Sequence, residues 1–217
     1  MTARKSGIDF ALYLVTDRVL AGGRPLDQIV RDSAAGGVTV VQLREKDATA
    51  REFLEQAFIL RQATSELDIP LIINDRVDIA LACRADGIHL GQADMHCALA
   101  RRITGEDMMI GVSVSTVDEA LEAQADGADY LGVGPLFPTP TKADALPATG
   151  LGVLRSIRRA VRIPLVGIGG LTPANAGDVM RAGADGVAVV SAIVASPDPG
   201  AAARALRSAI DEARSGR

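Results

Sequence analysis

Eight short runs rich in valine, isoleucine and leucine recur along the chain, each parted from the next by a segment with a single apolar stripe, and few folds accommodate that alternation. The runs are 11–15, 38–43, 70–73, 87–90, 109–113, 129–133, 164–167 and 186–190. Each is nearly continuous in apolar residues, the pattern of a strand covered on both faces, as in a parallel sheet. The intervening segments carry helical spacing, as in Phe53, Leu54, Ala57, Phe58 and Leu60, or in Leu154, Ile157 and Val161. A last stripe, Ala205, Leu206, Ala209, Ile210 and Ala213, predicts a helix packed against the final strand.

The punctuation between these segments is consistent with them. Ala35-Gly36-Gly37, Asp86-Gly87, Asp126-Gly127 and Ala182-Gly183 stand before strands, where glycine can adopt the left-handed turn that ends a helix. Thr49 with Glu52 and Thr116 with Glu119 read as capping boxes, and Thr172-Pro173 pairs an N-cap with a first-turn proline. A chain of 217 residues with 48% apolar content can bury one large core, and 3% aromatic content with no tryptophan favours small-residue packing of helices on a parallel sheet. The expectation is an α/β protein, a single (β/α)8 TIM barrel over residues 1–217, with about 1–8 and 215–217 loose. An open doubly wound sheet would carry a glycine-rich loop after its first strand, where this chain has Thr16-Asp17-Arg18.

A formal net charge of −4 argues against a broad basic field for nucleic acid or an anionic membrane. No apolar run approaches the roughly 18 residues of a membrane span, and the first residues lack a signal-type segment, so a cytoplasmic protein is expected. Cys83 and Cys97, both in predicted helices, show no metal-ligand spacing and read as buried or idle thiols. The composition is compatible with a homo-oligomer.

In a parallel barrel all strands open their C-terminal ends on one face, so polar residues just after strands converge there. After strand two, the two-residue period lets Gln42, Arg44 and Lys46 share one orientation, placing an amide and two cations at the mouth; a solvated charge run is the plainer reading. Strand three leads to Asn74 and Asp75, and strand four is followed by Asp94. Two carboxylates from adjacent strands suit Mg²⁺, although helix capping would account for either one singly. Strand five ends at Ser113, a phosphate donor or a turn residue. After strand six a stiff, polar loop of lid length carries Thr139, Thr141 and Lys142.

Strand seven runs into Gly169-Gly170 and strand eight into Val190-Ser191, the places where barrels commonly bind phosphate through backbone N–H groups. A cationic, metal-competent flank facing a neutral, amide-lined flank suits two phosphorylated substrates. Each fixed cation near 4 Å from a diphosphate contributes on the order of 4 kcal/mol at an effective dielectric near 20, before desolvation. His89, in strand four, and His96, in the following helix, have no nucleophile nearby in sequence and are expected to be structural.

The segments LYLVTDR, QLREK, IND, GIHLGQ-x-D, IGVS, GPLFPTPTK, PLVGIGGL and AGADGVAVVSAI, in this order over most of the chain, resemble the thiamine phosphate synthase family. The resemblance implies an Mg²⁺-dependent transferase that joins a pyrimidine methyl diphosphate to a thiazole phosphate and releases pyrophosphate. It implies that Gln42, Arg44, Lys46, Asn74, Ser113 and Lys142 hold the pyrimidine diphosphate, and that Arg44, Lys46, Ser113 and Lys142 are catalytic. Asp75 and Asp94 would bind the metal, while Thr139, Thr141, Gly170, Val190 and Ser191 would hold the thiazole phosphate. A dissociative mechanism follows from the same resemblance: pyrophosphate leaves first and the thiazole nitrogen captures the resulting cation. After Gly111-Val112-Ser113 the family usually shows Thr or Ala and then His, whereas this chain has Val114-Ser115. Rival readings are a thiazole tautomerase of the same superfamily, which would not need the diphosphate and metal set, and a non-catalytic phosphate-binding regulatory barrel.

Overall fold

The computed structural model describes residues 7–139 and 148–216. The chain runs β1 (Leu12–Val15), α1 (Arg18–Ala21), α2 (Leu26–Ala35), β2 (Val40–Leu43), α3 (Ala50–Glu66), β3 (Leu71–Asn74), α4 (Val77–Ala82) and β4 (Gly87–Leu90). It continues through α5 (Cys97–Thr104), β5 (Met109–Val114), α6 (Val117–Ala125), β6 (Tyr130–Val133), α7 (Gly150–Ala160), β7 (Leu165–Ile168), α8 (Pro173–Arg181), β8 (Gly186–Val189), α9 (Ser191–Val194) and α10 (Pro199–Ser215). Each strand pairs in parallel with the next, and β8 pairs with β1, so the sheet closes into an eight-stranded barrel wrapped by helices. The strands lie within about two residues of their expected positions, as buried parallel strands that read as unbroken apolar runs should.

Two-residue alternation sorts each strand's side chains into two layers. Leu12, Leu14, Val41, Leu43, Ile73 and Leu131 belong to the large core shared with the helices. Tyr13, Val15, Val40, Ile72, Met109, Tyr130, Val166 and Ala188 form a second cluster that fills the barrel interior. Above it, the register sets Val15 beside Gln42, Asn74 beside His89 and Ser113 beside Gly132. The inner face therefore changes from apolar to polar toward the strand C-termini, and that gradient creates a site.

Helix ends follow local chemistry. Thr49–Glu52 and Thr116–Glu119 form reciprocal capping boxes, and the Asn175 side chain accepts the Thr172 N–H at 2.8 Å ahead of Pro173. Gly37, Gly127 and Gly183 hold positive φ where helices turn back into strands. Asp86-Gly87 departs from that expectation: Gly87 is already in β4, and the left-handed residue after α4 is Arg84, with φ of 52°. Two side chains assigned to helices from sequence fall just outside them: Cys83 caps the end of α4, and His96 precedes α5. No helix among the described residues is long and apolar enough to cross a membrane.

Candidate active site

A cavity of about 410 Å³ opens at the C-terminal ends of the strands. Gln42, Arg44 and Lys46 line it from β2 and its loop, Asn74 and Asp75 from the end of β3 and the residue after it, and Asp94 and Ser113 from the segments after β4 and within β5. Thr139, Gly170, Val190 and Ser191 line the remainder. Every candidate residue among the described ones thus meets at one cavity, although the set spans more than half of the sequence. Thr141 and Lys142 lie outside the described residues.

The floor is a chain of hydrogen bonds. The Gln42 amide donates to the Tyr13 hydroxyl at 2.8 Å, the Tyr13 and Tyr130 hydroxyls are 2.8 Å apart, Tyr130 lies 2.9 Å from His89 Nδ1, and His89 Nε2 is 2.8 Å from Ser113 Oγ. One direction gives every proton in this chain an acceptor: Tyr13 donates to Tyr130, Tyr130 to Nδ1, and Nε2–H to Ser113. The Ser113 hydroxyl is then left to donate into the cavity. Burial pushes both tyrosine hydroxyls well above the ordinary phenol range and pulls the His89 imidazole down to about 4, against the opposing charge of Asp75. All three are therefore neutral near pH 7. Gly111 makes the arrangement possible, because a Cβ there would stand 2.1 Å from Cζ of Tyr130.

Both tyrosines of the chain lie outside the candidate set, and His89, expected to be structural, lines the cavity with them. Tyr13 and Tyr130 carry only one weak signal, their inward phase on strands one and six. His89 and Ser113 are 24 residues apart in sequence, so their contact depends on β4 and β5 being neighbours. Gln92 is a further addition, donating from its side chain to the Ser113 carbonyl at 2.7 Å.

At the rim, Lys46 Nζ stands 2.5 Å from Asp75 Oδ2. Asp75 has a left-handed backbone, with φ of 63°, a sparsely populated conformation for a residue other than glycine. Asp94 Oδ2 accepts the Gly91 N–H at 2.7 Å. Neither aspartate caps a helix as the plainer reading would have it, since α4 is preceded by Arg76 and α5 by His96. Burial first, and then the adjacent Asp75 carboxyl, raises the Asp94 carboxyl above its ordinary range. Two crowded carboxylates with one ammonium between strands are a hard-oxygen donor pair of the kind Mg²⁺ accepts, with water or substrate oxygens completing its shell. Among the described residues, His96, Glu122 and Asp126 also bring their side-chain donor atoms within 4.8 Å of one another, on the outer helical layer.

On the opposite flank, Gly169 and Gly170 have φ of 98° and 65°, a run that lets consecutive backbone amides face one concavity. An added Cβ at Gly170 would stand 2.6 Å from the Pro138 carbonyl, so the β6 and β7 loops pack too closely here for a side chain. The Asn175 amide donates to the Gly170 carbonyl at 3.0 Å and steadies the turn.

A family model described as Thiamine monophosphate synthase matches residues 12–193, a span containing all eight strands. The chain belongs to this family. Thiamine-phosphate synthase of Chloroflexus aurantiacus is 55% identical over 203 residues, covering 94% of each chain. That of Moorella thermoacetica is 51% identical over 203 residues, covering 94% of this chain and 97% of the relative. The solved thiamine phosphate pyrophosphorylase from Pyrococcus furiosus matches with a TM-score of 0.88 at 43% identity, covering 95% of this chain and 98% of that one. The function that this membership carries is thiamine-phosphate synthesis, a transferase activity, and neither a tautomerase nor a non-catalytic binding barrel finds support.

Proposed function

We propose that the cavity joins a pyrimidine methyl diphosphate to a thiazole phosphate with release of pyrophosphate, by a dissociative path. The observation that carries this reading is the convergence of a cationic rim, a polar floor and an amide-lined flank around one cavity. The neutral floor of Tyr13, Gln42, Tyr130, His89 and Ser113 suits a planar, hydrogen-bonding heterocycle. Arg44, Lys46, Asn74 and Lys142 hold its diphosphate, and their positive charge favours departure of the leaving group. Gly170, Val190, Ser191, Thr139 and Thr141 receive the phosphate of the second substrate across the cavity.

Asp75 and Asp94 would hold Mg²⁺, which when bound supplies charge neutralisation on the diphosphate oxygens. The chain's own contribution is to orient the two substrates for capture and to exclude water from the cation formed when the C–O bond breaks. The bond electrons leave with pyrophosphate, and the thiazole nitrogen lone pair forms the new C–N bond. No general base is required, which accords with an imidazole held neutral and engaged on both nitrogens. Soluble, cytoplasmic action on two phosphorylated small molecules, by one barrel domain, completes the reading.

The test is direct. Purified protein with both substrates and Mg²⁺ is expected to release pyrophosphate and form thiamine phosphate, and to form none of the latter when either substrate is omitted. Absence of the condensed product with both present would overturn the reading.

A further inference from the structure

The loops that follow β1 and β2 are joined by two ion pairs of opposite sense. Asp17 Oδ2 faces Arg44 Nη1 at 3.5 Å, and Arg18 Nε stands 3.2 Å from Glu45 Oε1. One loop presents minus then plus and the other plus then minus, so both pairs form together in one register alone. The backbone enforces the same register: the Thr16 N–H donates to the Gln42 carbonyl at 2.9 Å, and the Thr16 hydroxyl accepts the Arg44 N–H at 3.2 Å.

Of these four charged residues only Arg44 lines the cavity. Asp17 is itself held, because its Oδ1 accepts the Leu20 N–H at 3.0 Å as the N-cap of α1. Its second oxygen is thereby fixed toward the guanidinium. An arginine side chain has several rotatable bonds and five N–H donors; anchoring one nitrogen from behind leaves the others aimed at whatever enters in front. The Glu45 side chain is only 5% exposed, and burial raises its carboxyl above the ordinary range while Arg18 opposes that effect. A nearly buried carboxylate that does not line the cavity serves the brace between the loops, not the ligand.

We propose that Asp17 is a positioning residue for Arg44, presenting its guanidinium to the diphosphate, with the Arg18–Glu45 pair holding the two loops in register. The proposal rests on the reading of Arg44 as a diphosphate ligand given above. It goes beyond that reading by giving a role in substrate binding to a side chain that does not touch substrate.

A double-mutant cycle tests it, using Asp17→Asn, Arg44→Lys and the combined variant, with kcat and KM measured separately for each substrate. Asp17→Asn is expected to lower kcat/KM for the pyrimidine diphosphate about tenfold while KM for the thiazole phosphate stays within about twofold, because only one end of the cavity is affected. In the Arg44→Lys background the same change is expected to cost less than about twofold, since its effect passes through the guanidinium. Equal losses in both backgrounds, a parallel rise in both KM values, or tighter binding of the diphosphate once the negative charge is removed would each overturn the proposal. Should Asp17→Asn fold poorly, Asp17→Ser keeps a capping oxygen without the charge and enters the same cycle. A wild-type protein that forms no thiamine phosphate would remove the functional reading and this proposal together, whereas an active wild type with additive losses removes only the positioning role.

Discussion

His89 Nε2 lies 2.8 Å from Ser113 Oγ, across two neighbouring strands, and its other ring nitrogen is engaged by Tyr130. The imidazole thereby orients a hydroxyl at the cavity surface while having no free nitrogen of its own. Ser113→Ala removes the end of this chain. It is expected to cost about 1.5 to 3 kcal/mol of transition-state stabilisation, roughly tenfold to a hundredfold in kcat/KM. Steady-state pyrophosphate release measures it, and an unchanged value would remove Ser113 from the site.

The same histidine makes stability depend on pH. Its pKa falls from 6.5 to about 4 on burial, so between those values the unfolded chain takes up a proton that the folded chain refuses. Its contribution is complete above pH 6.5 and declines as pH falls toward 4, by roughly 3 kcal/mol in all. Urea unfolding at pH 7.5 and 4.5 is expected to show a smaller difference for His89→Gln than for the wild type. Parallel losses in the two proteins would contradict the assignment.

Gly111 and Gly152 form a matched pair of tests. Gly111→Ala drives a methyl group into the Tyr130 ring, which is held by Tyr13 and His89 and cannot readily yield. About 1 to 3 kcal/mol of stability should be lost. Gly152 sits in α7 with open space at its Cβ position, and Gly152→Ala should be neutral or stabilise by up to about 1 kcal/mol. Thermal unfolding of both variants checks the contrast.

At the rim, Asp75→Asn removes one charge from the carboxylate pair and should raise the Mg²⁺ concentration needed for half-maximal rate. Titration of activity against Mg²⁺ measures this, and activity indifferent to a chelator would contradict the metal assignment. Lys142→Ala, in the proline-containing segment that follows β6 in sequence, is expected to cost at least about tenfold in steady-state rate, equivalent to about 1.4 kcal/mol.

Much of this architecture was legible because its signals are local. Unbroken apolar runs mark strands covered on both faces, and threonine–glutamate spacings mark helix starts, so Val40–Leu43 and the box at Thr116 were readable without neighbours. The rim residues were legible for a topological reason: a residue just past a strand has only one end of a parallel barrel on which to lie. Tyr13 and Tyr130 give no site signal, and His89 reads as structural, because an inward ring resembles ordinary core filling until the opposite strand is known. The left-handed backbone of Asp75 and the pairing of Asp17 with Arg44 depend on how two loops meet, which no single stretch of sequence encodes.

The polar floor of the cavity rests directly on the apolar residues that plug the barrel, with Tyr13 and Tyr130 belonging to both layers. Altered recognition of a heterocycle therefore carries a folding penalty whenever it touches these two rings. The loops after the strands are freer to diversify, since they meet ligands without supporting the plug. Directed evolution of this scaffold toward new anionic substrates should accordingly accumulate changes at the rim and leave the floor intact.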